Sequence, residues 1–221
     1  MVKKHMTGIA VGALCALIFC LVPAPASALT AGDVAAGVQD RYSSLAALSA
    51  DFKQESRIVT LGRSRHKEGT ILFKRPGKMR WDYPPPDPQI IVSDGATLWY
   101  YRPEKNQVVV RDIGTAFVNQ TPLLFLFGKG DLAAEFRWEE KDLAPGDGGL
   151  RRLELLPRLE TPDLVSLALE VREDFSIAAT ILTDAFGNVT RLEFSGEEEN
   201  SVLEDSLFSF TIPEGAEVLK P

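Results

Sequence analysis

Ile71-Leu-Phe-Lys-Arg-Pro-Gly-Lys-Met-Arg-Trp-Asp-Tyr83 reads as two strands joined at Arg75-Pro-Gly77. Proline at the second turn position and glycine at the third suit a type II turn. Side chains on a strand alternate between its faces. Ile71, Phe73 and Arg75 therefore share one face, and Leu72 and Lys74 the other. On the return strand Met79, Trp81 and Tyr83 share a face, opposite Lys78, Arg80 and Asp82. The large apolar sets make one wall. Arg75 projects on that apolar side. A guanidinium there must find several acceptors or stay wet, because burying an unpaired charge is costly.

Upstream, residues 30–48 read as an amphipathic helix, with Val34, Val38, Tyr42, Leu45 and Leu48 at spacings of three and four. Thr30 suits the N-cap and Asp33 follows three residues on. Residues 50–58 form a strand with Phe52, Gln54, Ser56 and Ile58 on one face, and 61–67 a polar loop. Downstream, Pro84-Pro-Pro-Asp-Pro88 is an extended connector, since prolines cannot donate to a ladder. Residues 89–93 form a short strand before the tight turn at Asp94-Gly95. Residues 97–102 and 107–111 form a further hairpin, with Leu98 among its apolar positions. Thr121-Pro-Leu-Leu-Phe-Leu-Phe-Gly128 then carries a helix cap, proline at the first helical position and a closing glycine. Its apolar run Leu123, Leu124, Phe125, Leu126 and Phe127 fits a core helix, a buried strand or a short lid over an apolar chamber.

Strands resume at 137–143 and 150–156, separated by the turn Pro145-Gly-Asp-Gly-Gly149. Residues 165–172 alternate, with Val165, Leu167, Leu169 and Val171 inward. Residues 177–183 and 189–195 pair across Phe186-Gly-Asn188, placing Leu192 and Phe194 on one face. Residues 197–200 are an acidic solvated loop, and 207–212 a last strand with Phe208 and Phe210 inward. The sum is one α+β domain, a long antiparallel meander with helices on one side.

Residues 1–28 have the form of a secretory leader: Lys3 and Lys4, a 14-residue apolar middle from Ile9 to Val22, and a small-residue cleavage signal at Ala26-Ser27-Ala28. Cleavage after Ala28 leaves one domain over 29–221. Both cysteines, Cys15 and Cys20, fall in the leader, so the mature chain holds no disulfide and its stability comes from packing. Without Lys3 and Lys4 it carries 22 basic and 31 acidic residues, a formal charge of −9. That balance argues against a nucleic-acid partner.

Little in the mature chain suggests catalysis. It has one histidine, His66, in the polar run Arg63-Ser-Arg-His-Lys67, and no thiol for a nucleophile pair. It has no glycine-rich phosphate loop and no nucleophile elbow. Nothing singles out a carboxylate pair among 31 acids. The chain is read as a non-enzyme without metal or cofactor. What remains is an apolar wall, aromatic in part, under a helical cover. That suits a cavity for an apolar ligand and equally an ordinary core.

Five fragments occur in one order: Leu48-Ser-Ala-Asp-Phe-Lys-Gln54; residues 69–81 with Lys-Arg-Pro at their centre; Ile91-Val-Ser-Asp-Gly-Ala-Thr-Leu-Trp-Tyr-Tyr101; Asn119-Gln-Thr-Pro-Leu-Leu124; and Phe208-Ser-Phe-Thr-Ile-Pro-Glu-Gly215. Together they resemble the periplasmic outer-membrane lipoprotein carrier family, LolA, over residues 30–218; 137–201 match in strand pattern rather than in motif. The resemblance implies an unclosed half β-barrel of about eleven antiparallel strands with an α-helical lid. It implies an apolar interior for lipoprotein acyl chains. On this reading Phe52, Ile71, Phe73, Met79, Trp81, Leu98, Leu123, Leu124, Phe125, Phe127, Leu167, Leu169 and Phe194 line it. It further implies a periplasmic monomer that takes cargo from an inner-membrane ABC transporter and passes it to an outer-membrane acceptor lipoprotein. In that family the arginine of Lys-Arg-Pro, here Arg75, hydrogen-bonds to the lid and holds the empty chamber shut. A lipid-sensing regulatory domain of the same fold, or a carrier of another lipid such as a glycolipid, is the alternative.

Overall fold

The computed structural model describes residues 29–112, 130–159 and 161–220. The leader 1–28 and the apolar run 121–128 lie outside the described residues. The described strands are β1 (Leu29–Thr30), β2 (Ala47–Ile58), β3 (Arg63–Lys74), β4 (Lys78–Tyr83), β5 (Gln89–Asp94), β6 (Thr97–Arg102) and β7 (Gln107–Asp112). They continue with β8 (Phe136–Arg137), β9 (Asp142–Leu143), β10 (Arg151–Pro157), β11 (Ser166–Val171), β12 (Ile177–Thr183), β13 (Val189–Glu199) and β14 (Glu217–Leu219). Among the described residues two α-helices accompany them, α1 (Ala31–Ser44) and α2 (Leu132–Glu135).

Twelve strands form one sheet in the order β14-β7-β6-β5-β4-β3-β2-β13-β12-β11-β10-β8. Neighbours pair antiparallel except β14, which runs parallel to β7. The edge strands β14 and β8 do not pair, so the barrel stays open as expected. β1 and β9 form a separate two-stranded ribbon. Hairpins built by local turn chemistry make most of the connections. Asp94 Oδ1 accepts from the N–H groups of Ala96 and Thr97, both at 2.8 Å, and closes the β5–β6 turn. The β3–β4 turn contains a cis Arg75–Pro76 peptide rather than the trans bond of a type II turn, with Gly77 at φ +68°.

Register places Leu153, Leu155, Leu167, Leu169, Leu192, Phe194, Phe52, Ile71, Phe73, Met79, Trp81 and Leu98 on one face, here the inner face. All are buried in one cluster with Ala31, Val34, Ala35, Val38 and Tyr42 of α1. α1 thus lies over the inner face with the apolar stripe its spacing predicts. Thr30 caps it as expected: Thr30 Oγ1 accepts from Asp33 N at 3.2 Å, and Thr30 N donates to Asp33 Oδ2 at 3.0 Å. The outer face is covered locally by the C-terminal segment. Phe208 is buried there, and Phe210 stacks on Trp99 at 6.2 Å and tilts against Tyr101 at 5.7 Å.

Several expectations are corrected. The polar run 61–67 is not a loop, since β3 begins at Arg63 and pairs with β2 along its whole length. The long β2 partner supplies the ladder, and opposite charges such as Lys53 and Glu68 face each other across it. The helix ends at Ser44 rather than Leu48. Residues 47–48 belong to β2 instead, with Arg75 N bonding Ala46 O at 2.9 Å and Asn200 N bonding Ala47 O at 2.8 Å. The strand expected over 137–143 is split into β8 and β9. Glu197–Glu199 belong to β13, past a register shift between Ser195 and Glu198. Ion pairs from Glu197 to Arg172 and from Glu199 to Arg41 hold the acids in place. Val165 precedes β11 and is 45% exposed, whereas Leu167, Leu169 and Val171 are buried. Residues 207–212 form no strand: Asp205–Phe208 is a 3-10 turn that presses Phe208 onto the outer face.

Candidate functional site: an arginine beside an apolar face

Arg75 leaves the end of β3 on the inner side. Its Nε donates to Leu45 O at 2.9 Å and its Nη2 to Tyr42 O at 2.8 Å. Leu45 is the C-cap of α1. Both carbonyls are therefore among the last ones of the helix, which have no intrahelical partner. The negative end of the helix dipole also favours a cation there. The anomaly read from strand parity is thus resolved: the guanidinium on the apolar side is spent on helix carbonyls.

Tyr42 makes a second tie. Ile177 N donates to its hydroxyl oxygen at 3.0 Å, joining α1 to β12. Burial pushes the Tyr42 hydroxyl up to about 12. At its other end the helix is held by Ala31 N to Lys141 O at 2.8 Å and Gly32 N to Glu140 Oε1 at 3.2 Å. Gln39 Oε1 accepts from Leu132 N at 2.9 Å and so fixes α2 to α1.

The same buried cluster holds a set of aromatic rings. Phe52 contacts Trp81 and Tyr83, each at 5.0 Å between ring centroids, and Trp81 meets Phe73 edge-on at 6.3 Å. Gly69 stands opposite Phe52 in the ladder. A Cβ there would sit 2.1 Å from Asp82 O and 2.9 Å from the Phe52 ring. Tyr83 donates its hydroxyl to Gln54 Oε1 at 3.0 Å, and burial raises its pKa. The Trp81 Nε1 is buried and makes no hydrogen bond among the described residues. Buried indole N–H groups usually find a partner, so this face holds a spare donor among aromatic rings.

Of the side chains assigned from sequence, Phe52, Ile71, Phe73, Met79, Trp81, Leu98, Leu167, Leu169 and Phe194 join this single cluster. Leu123, Leu124, Phe125 and Phe127 lie outside the described residues. Sequence reading missed a cavity of about 650 Å³ beside the outer half of β3, lined among others by Gln54, Arg65, Lys67, Tyr83 and Asp87. Lys67 Nζ pairs there with Asp87 Oδ2 at 2.5 Å and sits over the Tyr83 ring at 5.4 Å. Taking 61–67 as a loop hid it; extending the β2 alternation through Gln54 and Ser56 was the available signal.

Residues 43–211 match the family model for the outer membrane lipoprotein carrier protein LolA. The outer-membrane lipoprotein carrier protein of Nitrosomonas europaea is 31% identical over 204 residues, covering 92% of this chain and 95% of that protein. That of Methylibium petroleiphilum is 38% identical over 170 residues, covering 77% and 81%. Among solved structures, an uncharacterized conserved protein from Thermus thermophilus superposes with a TM-score of 0.53 at 14% identity, covering 86% of this chain and 99% of that one. A DUF1329 family protein from Desulfovibrio piger gives 0.51, also at 14% identity, over 81% and 95%. These two speak for the fold alone. The sequence matches go further: the chain belongs to the LolA family of outer-membrane lipoprotein carrier proteins.

Proposed function

We propose that the chain binds lipoprotein acyl chains against the apolar inner face and carries them through the periplasm, from an inner-membrane release complex to the outer membrane. Arg75 serves as the latch. The observation that carries this reading is its pair of bonds to Tyr42 O and Leu45 O, which tie the helical cover to the turn of the Lys-Arg-Pro hairpin.

Energetics give the latch its purpose. A chain of about 16 carbons gains roughly 12 kcal/mol on leaving water, at about 0.8 kcal/mol per CH₂. Two or three chains would exceed about 20 kcal/mol, and a carrier that kept all of it could not release its cargo. Moving α1 away from the sheet breaks the Arg75 bonds, at roughly 1.5–3 kcal/mol for each charged donor. Opening thus draws on part of the binding energy, and closure returns it at delivery. The chamber is lined by Phe52, Ile71, Phe73, Met79, Trp81, Leu98, Leu167, Leu169 and Phe194. No step of this cycle needs a catalytic group.

The test is a transfer assay with Arg75→Leu. The variant is expected to fold and load acylated peptide but to hand it slowly to an acceptor membrane. Normal hand-off would exclude the latch. Trp81 emission should shift on loading, and emission indifferent to acylated peptide would remove Trp81 from the chamber.

A further inference from the structure

The β2–β3 hairpin has no part in the latch, and its tip has a distinct chemistry. Between Arg57 and Lys67 the sequence Arg-Ile-Val-Thr-Leu-Gly-Arg-Ser-Arg-His-Lys holds four formal cations, a histidine and no acid, in a chain of net charge −7. β4 pairs with β3 only from Thr70 onward, so Arg63–Gly69 have β2 on one side and no strand on the other. Arg57, Arg63, Arg65 and His66 are exposed. The three arginines make no ion pair among the described residues.

The turn itself is apolar. Val59 is 52% exposed and Leu61 59% exposed. Val59 N donates to Asn188 Oδ1 at 3.0 Å, which brings the β12–β13 turn alongside, where Phe186 is 70% exposed. The β10–β11 connection lies next in line, Ala185 N bonding Pro162 O at 2.9 Å, and adds Leu159 at 73% exposure. The acids nearby differ in how far they are committed. Asp184 accepts from Phe186 N, Asn188 N and Asn188 Nδ2, and Glu55 lies opposite His66 in the ladder. Asp163 is exposed on the third connection.

We infer that this end of the sheet is a contact surface for an anionic lipid bilayer. Large apolar side chains on successive turn tips suit insertion into the soft headgroup boundary, and the surrounding unpaired arginines suit its phosphates. The tip lies about 40 Å along β3 from Arg75, at roughly 3.3 Å per residue. Contact with a bilayer therefore leaves the latch free to work. The inference does not depend on the carrier reading.

The test is flotation of the purified protein with vesicles of phosphatidylcholine, with and without phosphatidylglycerol. The parent is expected to float with the anionic vesicles, less so with neutral ones, and to lose binding as salt rises. Leu61→Ser combined with Phe186→Ser should lower the bound fraction several-fold. Arg63→Ala combined with Arg65→Ala should weaken binding by about 25-fold, from about fivefold per cation. A parent that ignores anionic vesicles, or that binds neutral ones equally well, overturns the inference. So do variants that bind as the parent does, and so does attachment seen only when a membrane protein is supplied. Uptake of acylated peptide by the same variants reports an intact fold. If uptake fails even in the parent while flotation follows the tip, it is the carrier reading that falls.

Discussion

Arg75 joins two structures with one residue. Its main-chain N–H bonds Ala46 O, while its side chain reaches Leu45 O and Tyr42 O. An ammonium is a point donor without the planar fork that spans two carbonyls. Arg75→Lys is therefore expected to keep the charge and lose at least one bond, roughly 1.5–3 kcal/mol. Hydrogen exchange should show it as faster opening of the last turn of α1, with the sheet unchanged. Tyr42 yields a pH prediction. Its hydroxyl is raised to about 12 by burial, above an unfolded value of about 10. The folded state thus holds the proton more tightly. That stability is complete below pH 10 and is lost as pH rises through 12. Tyr83 acts in the same direction. Tyr42→Phe should cost about 1–3 kcal/mol at neutral pH, because Ile177 N is left buried without its acceptor. It should also flatten the alkaline loss. Urea midpoints measured at neutral pH and above pH 10 check both parts.

Gly69 marks where β3 stops tolerating a side chain. Backbone from β4 closes on it from one side and the Phe52 ring from the other. Gly69→Ala pushes against Asp82 O, which cannot swing away as a flexible side chain would. Overpacking of this kind costs about 1–3 kcal/mol, and the Phe52–Trp81–Tyr83 cluster should loosen with it. Near-UV circular dichroism and a lowered melting temperature would register the change; an unaffected aromatic spectrum would refute it. The same stretch shows what alternation reveals and what it conceals. From Ile71 to Tyr83 the pattern was readable because one face is buried and strongly apolar. From Arg63 to Lys67 both faces are polar, so a strand imposed by its neighbour left no periodic trace. Arg75 was marked by parity alone, yet its acceptors lie about thirty positions earlier, on a helix whose end no local signal fixed. The inward reading of Phe208 and Phe210 fails, since both pack on the outer face, and alternation gives no means of telling an inner face from an outer one.

A twelve-stranded sheet that never closes keeps a long apolar face covered only by what packs across it. In a closed barrel the wall strands would have to part before a chain could enter; here the cover alone has to shift. Cargo affinity should then follow buried chain length. Each two CH₂ groups removed from one acyl chain should weaken binding by about 15-fold, from about 0.8 kcal/mol per CH₂. The loss should continue until the chain no longer reaches the Phe52–Trp81 cluster. Lengthening beyond the depth of the wall should give no further gain, and the length at which affinity levels off measures how far the inner face is used. A titration series of acylated peptides differing only in chain length reads this directly. Affinity independent of length would mean that the Phe52–Trp81 cluster is a filled core, and that the cargo is held by its polypeptide instead.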